Sequence, residues 1–156
     1  MNNTHFYFRE CATYPWVLPH VKDENGILHV KHIVSSIETR FGSGEIFSTP
    51  EDLLKLGRLY LNGGVADSKE RILSPQSVEE MLEKHVPRAD DGGYHGLGIH
   101  IRPYQGGFVY GHTGTLLPYR SAMFFERSSG ICVSVMVNTN APLLRDELVE
   151  TLLASF

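Results

Sequence analysis

Between residues 50 and 86 apolar side chains return every three or four positions, and from residue 94 onward they alternate. The chain therefore changes from a helical to a strand period in its middle. Thr49 is placed to cap a first helix, with Pro50 at its first position and Asp52 three residues after the cap, set to return the hydrogen bond. Leu53, Leu56, Leu59 and Tyr60 share one face of it, and Gly63-Gly64 ends it. A second helix over 75–86 repeats this grammar: Ser74 caps, Pro75 opens, Val78, Met81, Leu82 and His85 share a face, and Pro87 stops it. His85 reads as a partly covered residue near the helix end.

After the polar loop from Arg88 to Gly93, Leu97, Ile99 and Ile101 alternate with Gly98, His100 and Arg102. A turn at Gly106-Gly107 leads into Phe108-Val109-Tyr110-Gly111, again with period two. Tyr119 to Glu126 is a third strand, Arg127-Ser128-Ser129-Gly130 a hairpin loop, and Ile131 to Val137 a fourth strand rich in β-branched residues. Such an apolar strand is expected to be central or covered on one face. Pro142 opens a last helix whose stripe is Leu144, Leu148 and Leu152, widened by Val149 and Leu153 and laid across the sheet. Residues 1–41 are broken by Pro15, Pro19 and Gly26, with Ile27 to Val34 the best strand candidate. The expectation is one α+β domain over 1–156: irregular or short strands over 1–41, helices over 42–93, and over 94–156 an antiparallel sheet plus a closing helix.

A chain of 156 residues with 42% hydrophobic and 21% charged side chains suits that single globular unit. A net charge of -4 and a pI near 6.0 give no footprint for nucleic acid. No apolar run approaches a bilayer span, and Met1 to His5 lack the basic start and apolar stretch of a secretory signal. As it stands the chain is expected to be cytoplasmic, while a complete parent could be exported. Cys11 and Cys132 read as free thiols, Cys132 in a strand core, though their number also permits one long-range disulfide. His29 and His32 would fall on opposite faces of a strand with no further ligand completing a shell, so neither a metal nor a cofactor is expected.

The candidate chemistry sits at Gly111-His112-Thr113-Gly114-Thr115, where a strand runs into an imidazole and a hydroxyl bracketed by glycines. The glycines leave the backbone open to close approach. On these residues alone a hydrogen-bonded turn with a surface histidine explains the triplet better than a site does.

The order of short motifs changes that balance. Gly42-Ser43-Gly44-Glu45-Ile46-Phe47-Ser48-Thr49-Pro50-Glu51-Asp52-Leu53, Leu59-Tyr60-Leu61-Asn62-Gly63-Gly64, Arg71-Ile72-Leu73-Ser74-Pro75, Tyr94-His95-Gly96-Leu97-Gly98, Gly111-His112-Thr113-Gly114 and Val137-Asn138-Thr139-Asn140 follow one another over 42–140. Together they resemble the C-terminal half of the serine β-lactamase-related family of class C β-lactamases, D-alanyl-D-alanine carboxypeptidases and esterases. The resemblance implies a helical region against an antiparallel sheet and metal-independent acyl transfer through a serine. It implies that His112 tunes the proton network, that Thr113 binds the substrate carboxylate, and that Gly114 lets the acyl chain lie along the strand. The N–H of Thr115 would be an oxyanion-hole donor.

The family's nucleophile motif is absent, because no serine here is followed three residues later by lysine. Tyr60-Leu61-Asn62 matches the second motif in letters, but it falls at the end of an amphipathic helix with Tyr60 toward the core, the wrong context for that role. The resemblance thus implies a fragment that is inactive alone, whose complete parent would take a small acyl substrate such as a β-lactam, a D-amino-acid peptide or an ester. Alternatives are a binding or assembly module, through a homodimer built on the open edge of the Ile131–Val137 strand, or half of a split enzyme with a complementing N-terminal half.

Overall fold

The two helical patterns form, each behind its cap. In this computed structural model, which describes residues 1–6, 10, 15–31, 44, 46–141 and 143–156, helix α1 is Pro50–Leu61 and helix α2 is Pro75–Leu82. Thr49 accepts the N–H of Asp52 at 3.3 Å, and Ser74 accepts that of Ser77 at 3.0 Å.

Asp52 does not return a bond to its cap as expected. Its buried carboxylate instead accepts the Asn3 N–H at 2.8 Å, the Thr4 hydroxyl at 2.9 Å and the Lys55 ammonium at 2.6 Å. It thereby pins the start of the chain onto α1. Lys55 foremost, with Asn3 and Thr4 adding to it against the opposing effect of burial, holds the carboxyl down at about 2. A depressed folded-state pKa stabilises fully above the ordinary aspartate value and loses that contribution as pH falls from about 4 through 2. Asp52→Asn is expected to lose about 1–2 kcal/mol at neutral pH, given the solvent exposure of Lys55, and to flatten the acid limb of stability. Urea unfolding at a series of pH values measures both.

Helix α2 stops at Leu82, short of the predicted residue 86. His85 lies outside it and is exposed, with a ring nitrogen 2.8 Å from the Glu80 carbonyl. The chain turns early because Val86–Pro87 is claimed by the sheet as strand β3, antiparallel to strand β4, Tyr94–His95. Neither short strand has enough residues to show a period.

Upstream, His20–Lys22 and Leu28–Val30 pair as the hairpin β1–β2. The four predicted C-terminal strands are β5, His100–Tyr104, β6, Gly107–Leu116, β7, Tyr119–Glu126, and β8, Cys132–Val137. With β3 and β4 they make one six-stranded antiparallel sheet in chain order. Leu97 falls before β5 and is 47% exposed, whereas Ile99 and Ile101 are buried. The β5–β6 hairpin turns through Gln105 and Gly106, both at positive φ, 44° and 81°, the primed turn whose twist matches the strands it joins.

Strand β8 is the last in the sheet, not a central strand. It is apolar because α1 covers one face and the closing helix α3, Leu144–Leu153, covers the other. At Gly57 helix α1 comes so close that a Cβ there would run into the Cys132 sulfur. On the α1 and α2 side Val78, Leu82, Ile99, Ile101, Met123 and Phe125 form one core. On the α3 side Val109, Ala122, Phe124, Val133 and Val135 meet Val149 and Leu153.

The phase of α3 keeps only part of the predicted face, Val149 and Leu153. Its buried face is Arg145, Val149 and Leu153, while Leu144, Leu148 and Leu152 remain 37–38% exposed. The buried face is displaced from the leucine stripe by about one residue, 100°, onto its Val149 and Leu153 side, and brings a guanidinium over β6. Pro142 lies outside the described residues, and the helix begins at Leu144 without a side-chain cap.

Candidate active site

Strand β6 outruns its neighbour. Its pairing with β5 ends at Gly111 opposite His100, whereas its pairing with β7 continues to Leu116 opposite Tyr119. Residues 112–116 consequently have β7 on one edge and, among the described residues, no strand on the other.

Two-residue turns close both hairpins, at Tyr104–Gly107 and at Leu116–Tyr119. A closing pair of this kind exchanges hydrogen bonds, and alternation then fixes every direction along the strand. Residues 107, 109 and 111 point their backbone groups at β5, and 112, 114 and 116 point theirs at β7. The N–H and C=O of Thr113 and Thr115 are therefore directed to the unpaired edge.

All four residues singled out from sequence lie on this overhang. His112 is exposed, and its Nδ1–H donates to the Thr113 carbonyl at 2.7 Å. A carbonyl can only accept, so in the neutral ring Nε2 keeps its lone pair. Thr113 is half-buried opposite Ala122, and Thr115 is exposed opposite Arg120. At Gly114 the nearest obstacle to a Cβ is the hydroxyl of Ser121.

Two further histidines flank His112, one from each of the next two strands. The His100 ring lies 3.9 Å from that of His112, and His95 meets His100 edge-on at 5.0 Å. Burial first, then the nearby His112, Arg88 and His95, push His100 down to about 4, against a smaller upward pull from Asp91. At neutral pH His100 is thus an uncharged neighbour. Among the described residues no group of three His, Cys, Asp or Glu side chains is arranged to hold a metal ion.

Arg145 was not legible as part of this region. Its Nη1–H donates to the Gly114 carbonyl and the Thr115 hydroxyl, both at 3.2 Å, while Nε and Nη2 hold the Asp146 carboxylate. A lone arginine after two leucines shows no such reach, because the contact depends on the phase of α3. At the turn, the Tyr119 hydroxyl donates to the Val17 carbonyl at 2.7 Å and the Asn138 amide to that of Leu18 at 2.8 Å. These bonds bring the N-terminal segment against the end of the sheet.

The remaining candidates lie elsewhere. Tyr60 stacks on Phe125 at 5.5 Å, burial raises its phenol pKa, and Asn62 is the cap residue of α1, so Tyr60-Leu61-Asn62 is a helix end. His29 holds Asp23 at 2.8 Å on an exposed hairpin, and His32 and Cys11 lie outside the described residues. Cys132 is a free thiol that burial pushes up to about 11, Arg58 opposing. Among the described residues no helix is long and apolar enough to cross a membrane.

The overhang offers two backbone donors in a row, a threonine hydroxyl and an imidazole lone pair to an extended chain lying alongside. Among the described residues no serine, lysine or tyrosine side chain is hydrogen-bonded to His112.

A family model described as Beta-lactamase matches residues 1–155. The chain is similar in fold to the octameric penicillin-binding protein homologue of Pyrococcus abyssi, with 22% identity, a TM-score of 0.80, and 99% of this chain and 34% of that one covered. It is similar also to the penicillin binding protein of Bacillus halodurans, with 20% identity and a TM-score of 0.72 over 100% and 45% of the two chains. The D-amino acid amidase of Ochrobactrum anthropi SV3, solved with D-phenylalanine, gives 20%, 0.70, and 100% and 50%. The chain thus spans a third to a half of the length of these structures. No curated protein matches it at a significant level.

Proposed function

The chain belongs to the Beta-lactamase family, and on that premise we propose that it carries one wall of an acyl-serine hydrolase site without the attacking group. The unpaired edge at 112–116 supports this most directly. A substrate backbone laid antiparallel to it would bond to Thr113 as an added strand. The Thr115 N–H, directed to the same edge, would serve a developing oxyanion, Thr113 Oγ1 a carboxylate, and His112 Nε2 the proton network. Gly114 keeps side-chain bulk off that strip. The substrate class is an amide or ester of D-amino-acid or β-lactam type, in line with the amidase and penicillin-binding names among the similar structures.

Acylation needs a nucleophile activated by a base, and this sequence has no Ser-x-x-Lys. The chain alone is expected to give no turnover of a chromogenic cephalosporin and no mass increase with a fluorescent penicillin. Titration with D-phenylalanine amide should nonetheless shift the amide resonances of 113–115. A stoichiometric acyl adduct would overturn the inactive reading, and unmoved resonances at 113–115 would overturn the edge reading.

A second reading has a complementing N-terminal half, outside these 156 residues, supply the absent motifs, in line with coverage of only a third to a half of the similar structures. In that case an added N-terminal half carrying Ser-x-x-Lys and Tyr-x-Asn would restore acylation.

A further inference from the structure

We infer that His100 is a positioning residue for His112: its ring lies against the His112 imidazole and holds it with the proton on Nδ1 and the lone pair on Nε2. That this serves acyl transfer rests on the reading proposed above, whereas the positioning itself is a property of the chain without substrate.

The tautomer at His112 needs support. A neutral histidine side chain left to itself carries its proton mostly on Nε2, yet here Nδ1–H must donate, because its partner is the Thr113 carbonyl at 2.7 Å. His112 is exposed, and a hydrogen bond open to water holds a side chain only weakly. Strand β5 does not brace it through the ladder, since its pairing ends with His100 opposite Gly111, one residue short.

The side chain at that strand end takes over. The His100 ring centroid is 3.9 Å from that of His112, with the planes 36° apart. Gly111, the pair-mate of His100, has no side chain to come between them. His100 is held in turn, being half-buried and met edge-on at 5.0 Å by His95 from β4. The three rings come from three adjacent strands, and the middle one is uncharged at neutral pH, burial foremost keeping it so. The nearby Arg88 guanidinium is occupied by Asp90 at 2.7 Å and by Asp91 at 3.1 Å. A neutral flat ring stacks on an imidazole in either charge state, so His100 steadies His112 both before and after it takes a proton. Any side chain of that volume would fill the space, but only a flat face holds the neighbouring ring in one orientation.

Long-range proton–nitrogen correlation spectra of the 156-residue chain at about pH 8.5, above the ordinary imidazole range, read the tautomer of each ring directly. His112 is expected mainly in the Nδ1–H form, with nuclear Overhauser contacts to the His100 ring. His100→Phe keeps a flat ring and should keep that form. His100→Leu fills the space without one and should lower the ratio of Nδ1–H to Nε2–H at His112 by about threefold or more. An Nε2–H His112 in the unaltered chain, or equal ratios in the two variants, overturns the inference. Titration with D-phenylalanine amide keeps the two readings apart: if the tautomer responds to His100 while the amide moves nothing at 113–115, the positioning stands and only the acyl-site reading falls.

Discussion

Gly111→Ala should lower the unfolding free energy by about 2–3 kcal/mol, an overpacking effect at the crowded centre of the sheet. Gly111 is buried between β5 and β7, and a Cβ built on it would overlap the Met123 carbonyl oxygen and the backbone of Phe124. Those atoms belong to a strand backbone with Phe124 fully buried behind it, so they cannot swing aside as a flexible side chain would. The strain must be relieved by prising β6 away from β7. Gly114→Ala is the informative contrast: its obstacle is a single serine hydroxyl, which can rotate, so its effect on stability should stay below about 1 kcal/mol. Urea melts compare the two. The ligand response should behave in the opposite sense, since a methyl at Gly114 stands on the strip proposed for the substrate. Gly111→Ala tests the scaffold, and Gly114→Ala tests the site.

The contrast between these glycines bears on what a sequence can disclose. Gly111 and Gly114 look alike as letters around His112 and Thr113, and both were read as places of close backbone approach. Only the strand register separates them, because Gly111 is the last residue paired to β5 and Gly114 lies beyond it. The helix starts at Thr49 and Ser74 were legible because capping is local, depending on two or three adjacent residues. The end of α2 was not, because Val86 and Pro87 are taken by β4, a partner too short to announce itself. The phase of α3 was missed for a similar reason. Two apolar stripes run along that helix, one beginning at Leu144 and the other at Val149, and the pattern cannot say which one the sheet will accept. The overhang of β6, on which the functional reading rests, follows from the unequal lengths of two hairpins, a property of no single stretch. The apolar character of β8 fits either a central position or a covered face, and the structure takes the second, with a helix on either face of an edge strand.

Arg145→Ala should cost about 2 kcal/mol of stability and loosen the very edge that the proposed substrate would use. Arg145 is buried, and its fork is divided between two tasks: Nη1 holds the Gly114 carbonyl and the Thr115 hydroxyl, while Nε and Nη2 hold Asp146. Removing it leaves Asp146 without its cation. Because the Asp146 side chain is 34% exposed, water recovers part of that loss and the figure stays below that for a fully enclosed pair. Lysine retains the charge but cannot reach in two directions at once. Arg145→Lys is accordingly expected to keep the bond to Asp146, to lose the hold on β6, and to cost about half as much. The two variants separate the anchoring of α3 from the positioning of the site. Hydrogen exchange at Gly114 and Leu116, whose N–H groups face β7, should rise in both, since among the described residues no other side chain of α3 is hydrogen-bonded to residues 114 and 115. A loss of stability with unchanged exchange at these amides would make Arg145 an anchor for the helix and nothing more. Faster exchange in Arg145→Lys, with most of the stability retained, would identify a guanidinium in the closing helix as the group that stiffens the open strand.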